Sequence, residues 1–569
     1  MCGIVGYTGT RPARPLLLDG LSALEYRGYD SAGIALCDHG GIERIRSVGN
    51  LAALRERVPA LAGAPAGEPA AGIGHTRWAT HGAVSEANAH PHADASGRVQ
   101  IVLNGIVENW RELRDELGAE LASETDAEVV AHLIAAYYDG DLRAALARAK
   151  DRLRGQWAVV AVAADEPGTI AAVRRRTPLV AGLGDGEHFI ASAVAAFAAH
   201  TRRVIELADD EVVVITPDGV EGAAAPAVTA AAEHAAPDKG GFDSFMRKEI
   251  AEQPAAVAET VFELLREPPR VDGPVRIVAC GSSYHAGLAA RDAFDVPVEV
   301  DIASEHRYRT AAGSPDELVI GITQSGETAD TLAAMQAARE RGSRVLALTN
   351  VADSQAARDA DDVVLTRAGT EVGVAATKTF TTQVAALLAL AGEHRELAAL
   401  PDLLERTIAT AEPWAQAIAP AFAHAPLAMY LGRLGGAAIA AEGALKLKEV
   451  AYVPADAYPA GEMKHGPIAL LSPETPVACV ATAGPARAKL HSNMAEVRAR
   501  GVHVHAVAAE GDHDAAAHAD DVVRVPDASP ALQALLAVVP LQLLAYHAAI
   551  ARGLDVDQPR NLAKTVTVE

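Results

Sequence analysis

The chain of 569 residues holds only four cysteines, Cys2, Cys37, Cys280 and Cys479, and aromatic residues make up 4% of it. Cysteines so few and scattered build neither a disulfide framework nor a zinc knuckle, so a reducing compartment is expected. With aromatics scarce and 50% of residues hydrophobic, the cores must be assembled mainly from Ala, Val and Leu, and dominant disorder is excluded. Cationic charge is in deficit as well: 50 Lys and Arg against 74 Asp and Glu give a net charge of −24. That balance is dispersed, which argues against nucleic acid or an anionic membrane as partner. Long apolar runs are lacking too, since the longest, 534–550, is broken by Pro540, Gln542 and His547 and reads as a buried helix. The opening Met1-Cys2-Gly3-Ile4-Val5-Gly6 lacks a charged region and a long apolar core, so no secretory signal is expected and a soluble, cytoplasmic protein is. No metal is expected either: the pairs His90/His92 and His503/His505 have no helical or Cys-rich ligand partner and read as surface or hydrogen-bonding residues.

What is present is length for about three to five domains. Within 1–220, short apolar stretches punctuated by glycine (4–7, 33–36, 72–75, 100–103, 157–163, 169–173, 211–215) read as strands, with helical patterns at 14–24 and 126–138. Many strands and few helices point to an α+β domain of stacked sheets with helices outside. Residues 221–243, rich in Ala and Pro at first, read as a linker, and 244–265 as a helix. From Val275 the pattern becomes strand, small-polar loop, helix, repeated, with strands at 276–280, 318–323 and 344–349 and a helix at 327–341. Strands near Leu427, Pro476 and Val502 answer these about 155 residues downstream, as a duplicated parallel α/β domain would, with chance recurrence of a common supersecondary unit as the alternative. The expected boundaries are therefore 1–220, 221–243, 244–400, 401–559 and a tail, 560–569.

Cys2 becomes the first residue once Met1 is removed, placing a thiol and a free α-amine on one residue, and the amine is a plausible base near neutral pH. Asn104-Gly105 offers a side-chain amide and a free backbone N–H, the two donors an oxyanion hole needs. Arg77 and Asp126 together suit the carboxylate and ammonium of an amino acid, although a turn and a structural ion pair would account for the same residues. Further on, Ser282-Ser283 and Thr323-Gln324-Ser325-Gly326-Glu327-Thr328 each join a strand end to a helix start, where an anion is favoured. Neither is a P-loop, and the equivalent loop of the second repeat, Thr482-Ala483-Gly484-Pro485, has lost most of its hydroxyls, which leaves one phosphate site. Glu442, Lys446 and Glu449 share one face of what reads as a helix start, His465 supplies an imidazole for acid–base work, and Lys564 lies in the tail; a solvated charged face, a loop histidine and a frayed end are the structural alternatives.

The segments Cys2–Gly6, 25–33, 75–82, 88–92, 104–106 and 123–126 resemble the class II glutamine amidotransferases with an N-terminal nucleophile cysteine. The resemblance implies glutamine hydrolysis through a thioester on Cys2, an oxyanion hole of Asn104 and Gly105, and glutamine held by Arg77, Trp78, Thr80, His81 and Asp126. Leu103 stands where that family usually has His, which bears on the packing of the oxyanion loop. The segments 280–284, 302–309, 324–332, 442–449, 464–467 and 557–569 resemble the sugar isomerase (SIS) domains of the glutamine–fructose-6-phosphate aminotransferase family. That resemblance implies a sugar phosphate held by Ser282, Ser283, Thr323, Gln324, Ser325, Thr328 and Val374. It further implies ring opening by His465, a Schiff base on Lys564, proton transfer by Glu449, Lys446 as shuttle or charge partner, no cofactor, and at least a homodimer. The substrates expected are L-glutamine and fructose 6-phosphate, giving glutamate and glucosamine 6-phosphate. Thr323 and Ala376 stand where Ser is usual, so a paralogue aminating a different keto-sugar phosphate is the alternative, ahead of a non-catalytic sugar-phosphate sensor.

Overall fold

The computed structural model describes residues 2–38, 41–58, 70–229, 238–266, 271, 273–309, 314–352 and 354–566. These divide into two compact units, one reaching Thr229 and including the segment from Ala563, the other running from Asp238 to Leu562. Residues 230–237, the middle of the expected linker, lie outside the described residues.

The first unit contains β1 (Gly3–Thr8), α1 (Ala13–Ala23), β2 (Ser31–Asp38), β3 (Gly41–Val48), α2 (Leu51–Arg57), β4 (Ala71–Arg77), β5 (His92–Ala93), β6 (Val99–Val107), α3 (Trp110–Leu117), α4 (Asp126–Tyr137) and α5 (Leu142–Lys150). It continues with β7 (Gly155–Ala163), β8 (Ile170–Arg175), β9 (Val180–Leu183), β10 (His188–Ala191), β11 (Arg203–Glu206), β12 (Val213–Thr216), β13 (Gly219–Glu221) and β14 (Val228–Thr229). Two antiparallel sheets form, in the orders β14-β11-β9-β10-β1-β4-β2-β3 and β13-β12-β8-β7-β6-β5. Side-chain alternation decides the layering. On β7, Ala158, Val160 and Val162 face the core between the sheets, while Trp157, Val159 and Ala161 face the helices α3, α4 and α5. On β1, Ile4 points between the sheets and Val5 and Tyr7 towards α1. The result is four layers, helices outside two stacked sheets, as the strand-rich pattern implied. Helix α5 went unread although Leu142, Ala145, Leu146 and Ala149 are its buried face at helical spacing. Strand β14, from the stretch read as linker, pairs with β11 because its backbone completes that sheet edge.

In the second unit the expected helix 244–265 is two, α6 (Phe245–Ala251) and α7 (Gln253–Leu264), split where Pro254 starts a new first turn. Next come β15 (Val275–Ala279), α8 (Gly281–Ala290), β16 (Val298–Ile302), α9 (Ala303–His306), β17 (Leu318–Thr323), α10 (Ala329–Glu340), β18 (Arg344–Thr349), α11 (Gln355–Asp359) and β19 (Asp362–Leu365). Helices α12 (Lys378–Leu390), α13 (His394–Leu397) and α14 (Leu400–Ala423) lead into the second series. That series is β20 (Ala428–Gly432), α15 (Gly435–Ala451), β21 (Ala455–Pro459), β22 (Val477–Ala481), α16 (Arg487–Arg498), β23 (Val504–Ala509), α17 (Ala515–His518), β24 (Asp521–Val525) and α18 (Pro530–Ala551). Both sheets are parallel and share one order, β16-β15-β17-β18-β19 and β21-β20-β22-β23-β24, so the repeat seen in the sequence is a repeat of topology. One core runs through both, from Ile277 and Ile320 to Tyr430 and Val480, with α12, α14, α15 and α18 inside it. Helix α18 extends the apolar run at both ends, with Pro530 in its first turn, and Pro540 sits within it without ending it. Among the described residues it is the one helix long and apolar enough to cross a membrane, and it is buried here against α14 and α15.

The first unit also buries a cluster of three histidines. The rings of His75 (β4) and His90 stack with centroids 4.1 Å apart, and His92 (β5) meets His90 edge-on at 4.5 Å. His90 and His92 are thus not surface residues, although both are hydrogen-bonded; His505 is buried as well and only His503 is exposed. Burial pushes His75 and His92 down to about 3, and His90 well below its usual value, with Arg77 adding to the effect on each. In the unfolded chain the same imidazoles titrate near 6.5. Below that pH the unfolded state takes up protons that the folded state refuses. Stability is therefore intact above about 6.5 and falls towards pH 3, by about 1.4 kcal/mol per pH unit for each histidine. His92→Gln should flatten the pH dependence of urea unfolding between pH 6 and 4 by about that amount, read from tryptophan fluorescence; an unchanged slope would contradict a neutral buried imidazole.

Candidate active sites

Cys2 enters β1 directly, and the pairing of Gly3 with Thr76 brings it beside the end of β4. Its Sγ accepts the Trp78 N–H (3.2 Å) and lies 3.5 Å from the Trp78 carbonyl. Burial raises the thiol's pKa, opposed by the chain's amino terminus, the Trp78 N–H and the Arg77 guanidinium. Asn104 Nδ2 donates to the Cys2 carbonyl at 3.0 Å. Gly105 follows within β6 with φ +94°, and a Cβ there would collide with the Gln156 carbonyl on β7, so glycine alone fits this position. Cys2, Asn104 and Gly105, expected together, are together.

The expected glutamine-holding residues gather on the same side. A narrow cavity of about 20 Å³ is lined by Cys2, Arg77, Trp78, Thr80, His81, Gly105 and Asp126, among others. No hydrogen bond joins Arg77 to Asp126. The Arg77 guanidinium donates to the carbonyls of His81 (2.5 Å), Gly82 (3.3 Å) and Ala83 (3.4 Å), which shapes the 78–83 loop. Asp126, at the start of α4, accepts the Val107 N–H at 2.8 Å and lies 4.0 Å from His81 Nδ1; burial raises its pKa. Asp30 and Asn88 were not singled out, yet Asp30 accepts the Ala79 N–H (2.8 Å) and Asn88 Nδ2 donates to the Ala83 carbonyl (2.9 Å), pinning the loop at both ends. Both lie in segments quoted for the resemblance, but nothing in their spacing foretold these bonds.

In the second unit the loop between β17 and α10 is organised by its hydroxyls. Thr323 Oγ1 and Thr328 Oγ1 are 2.9 Å apart, Thr323 Oγ1 accepts the Gly326 N–H (3.2 Å), and Ser325 Oγ accepts the Glu327 N–H (3.1 Å). Thr328, the residue before α10, makes no side-chain cap to that helix. The first turn of a helix, with its N–H groups and positive dipole end, is where an anion is favoured. Gly326 takes φ +69°, and a Cβ there would strike Ser354. Gln324 is half-buried in the same loop, and Ser283 is half-buried in the first turn of α8. Ser282 differs from expectation: its Oγ donates to Glu442 Oε1 (2.8 Å) and accepts from Lys446 Nζ (3.1 Å), because packing of α8 on α15 turns it to that helix.

The 442–449 stretch is not a helix start but the C-terminal half of α15, and it is no solvated face: Glu442 and Lys446 are 0% exposed. Lys446 Nζ lies 3.4 Å from Glu442 and 2.5 Å from Glu449. Burial opposes its charge, but the two carboxylates outweigh burial and hold the ammonium above the usual lysine range. Glu442 is lowered in spite of burial by Lys446, His285 and Ser282, and His285 Nδ1 lies 2.8 Å from its Oε2. A lysine so held suits a charge partner better than a shuttle. His285, unread in the sequence, sits three residues beyond Ser282 on α8, a spacing that could have found it. Val374 is half-buried, and its N–H donates to the Asp557 carbonyl (3.1 Å). Asp557 also caps α6, accepting the Phe245 and Met246 N–H groups at 2.9 Å. His465 ends a 3-10 turn, Ala460–His465, that packs on β21 and α16; its ring is exposed and is not drawn into the Glu442 cluster. Lys564 is half-buried and falls in the segment grouped with the first unit.

Two family models match: a glutamine amidotransferase domain at residues 75–199, and a SIS domain twice, at 274–392 and 422–552. Proteins called glutamine–fructose-6-phosphate aminotransferase [isomerizing] from Mycolicibacterium paratuberculosis and Streptomyces coelicolor are each 46% identical, over 100% of this chain and 100% of theirs. The same name belongs to a Symbiobacterium thermophilum protein, 45% identical over both full lengths. Among solved structures, the C-terminal domain of glucosamine-fructose-6-phosphate aminotransferase from Francisella tularensis matches 57% of this chain and 100% of its own, at 34% identity and TM-score 0.52. With the thiol site, the hydroxyl loop and the buried carboxylate–lysine cluster all in one chain, and relatives matched end to end, the chain belongs to the glutamine–fructose-6-phosphate aminotransferase (isomerising) family.

Proposed function

We propose that this enzyme hydrolyses glutamine at Cys2 and uses the ammonia to convert fructose 6-phosphate to glucosamine 6-phosphate, passing it internally between the two sites. The observation that carries the reading is that Cys2, Asn104 Nδ2 and Gly105 converge, while the same chain carries a helix start lined with hydroxyls and a buried ammonium between two carboxylates. At the first site Cys2 Sγ attacks the glutamine amide carbon. With Met1 removed, the α-amine of Cys2 accepts the thiol proton and later returns one to the leaving ammonia. Asn104 Nδ2 and the Gly105 N–H receive the oxyanion, and water then releases glutamate from the thioester. Arg77, Trp78, Thr80, His81 and Asp126 hold the amino-acid end.

At the second site Ser283, Thr323, Gln324, Ser325 and Thr328 hold the phosphate, with Val374 against the sugar. His465 opens the ring. Lys564 forms a Schiff base at C2 until ammonia displaces it, and Glu449 moves the C1 proton to C2. Lys446 holds Glu449 in place, and the protein works as a homodimer or larger homo-oligomer in the cytoplasm. Thr323 keeps the family's hydroxyl bonded to Thr328, so the methyl there does not disturb the loop. Ala376, half-buried where Ser is usual, is the one feature that favours a different ketose phosphate. Steady-state comparison of ketose 6-phosphates decides between them, and a poor kcat/KM for fructose 6-phosphate would sink the first.

Cys2→Ala should abolish glutamine use yet leave amination with free ammonium salts; loss of both would contradict separable sites. Lys446→Met should cost about 3–5 kcal/mol, because it leaves a buried carboxylate without its counter-charge. It should also lower isomerisation by at least about a hundredfold, a fair size for losing acid–base help. Chemical unfolding and a glucosamine 6-phosphate assay check these two effects, and Glu449→Gln should match the rate loss without the stability loss. Intact mass should show Met1 removed, since a retained Met1 with full glutaminase activity would refute the free-amine mechanism.

A further inference from the structure

Strand β5 begins only at His92, and the pairing of His92 with Ile101 is its furthest along β6 towards Leu103. Two residues on, the N–H and C=O of buried Leu103 have no strand on that side and would lack partners. Imidazoles take both. The Leu103 N–H donates to His90 Nδ1 at 3.3 Å, and the Leu103 carbonyl lies 3.0 Å from His75 Nε2. The same His75 Nε2 lies 3.1 Å from Asn104 Oδ1. Both of its partners are oxygens that only accept, so His75 Nε2 carries the hydrogen and donates to each. Asn104 Oδ1 is thereby turned to His75, and Nδ2 is left facing Cys2, where it donates to the carbonyl at 3.0 Å. A flipped amide would set its NH₂ against the His75 N–H and present an oxygen where the oxyanion must form.

We propose that His75 is a positioning residue of the oxyanion hole. It fixes which end of the Asn104 carboxamide meets the reacting carbonyl, while His90 holds the backbone from which Asn104 projects. This rests on the reading of Cys2 as a glutaminase nucleophile. It also accounts for Leu103: that side chain packs towards the helices α3, α4 and α5, and the hole is held through the main chain, so no polar side chain is needed at this position.

The test uses the full chain, with ammonia-dependent amination reporting the amount of folded enzyme in each sample. His75→Leu removes the donor, whereas His75→Gln places an amide N–H near the same point. His75→Leu should lower kcat for glutamine hydrolysis about a hundredfold, with KM for glutamine within about threefold, as loss of one oxyanion donor does. His75→Gln should recover at least about tenfold of that loss. Should His75→Leu not fold, His75→Asn replaces it, its amide stopping short of both oxygens, and the same gap from His75→Gln is expected. An unchanged kcat, an effect on KM alone, or no advantage of Gln over Leu or Asn would overturn the proposal. Glutamine hydrolysis that survives Cys2→Ala would instead overturn the glutaminase reading.

Discussion

A fully buried ammonium, Lys446, sits between the carboxylates of Glu442 and Glu449, and the second unit is arranged around that fact. A charge so placed is tolerable only if its partners are held at bonding distance from every side. Helix α15 supplies all three residues at helical spacing. Helix α8, from the other repeat, closes the cluster with Ser282 and His285. The two sheets therefore cannot drift apart without stranding a charge, and the shared core through α12, α14 and α18 holds them in that relation.

In the first unit the corresponding constraint is neutral. The strand edge at Leu103 needs partners, three imidazoles are buried to supply and support them, and burial keeps those rings uncharged. Cys2 and Asn104 are then held on the two facing sheets by backbone pairing rather than by flexible side chains. That suits a reaction whose barrier falls by having donors already aimed.

Much of this was legible in the sequence. The strand-rich first 220 residues, the duplicated parallel repeats, the nucleophile with its Asn-Gly and the hydroxyl loop all rest on local pattern, and local pattern is what a sequence carries. Three things were only partly legible. The 442–449 stretch read as a helix start, and a solvated charged face stayed open as its alternative, because periodicity says which residues share a side and nothing about what covers that side. Ser282 read as a sugar-phosphate residue beside Ser283, and its bonds to Glu442 and Lys446 became visible only once α8 packed on α15. His90 and His92 looked peripheral because the need they answer, an open strand edge, exists only once β5 stops short.

By itself the sequence determined the kinds of chemistry available and the order of the domains, since residue type and period are local properties. Only the tertiary structure decided which charges are buried, which tautomer His75 must adopt and which way the Asn104 amide faces. Those depend on groups 28 to 164 residues apart in the chain meeting at bonding distance, and burial then makes each such meeting obligatory by removing water as an alternative partner.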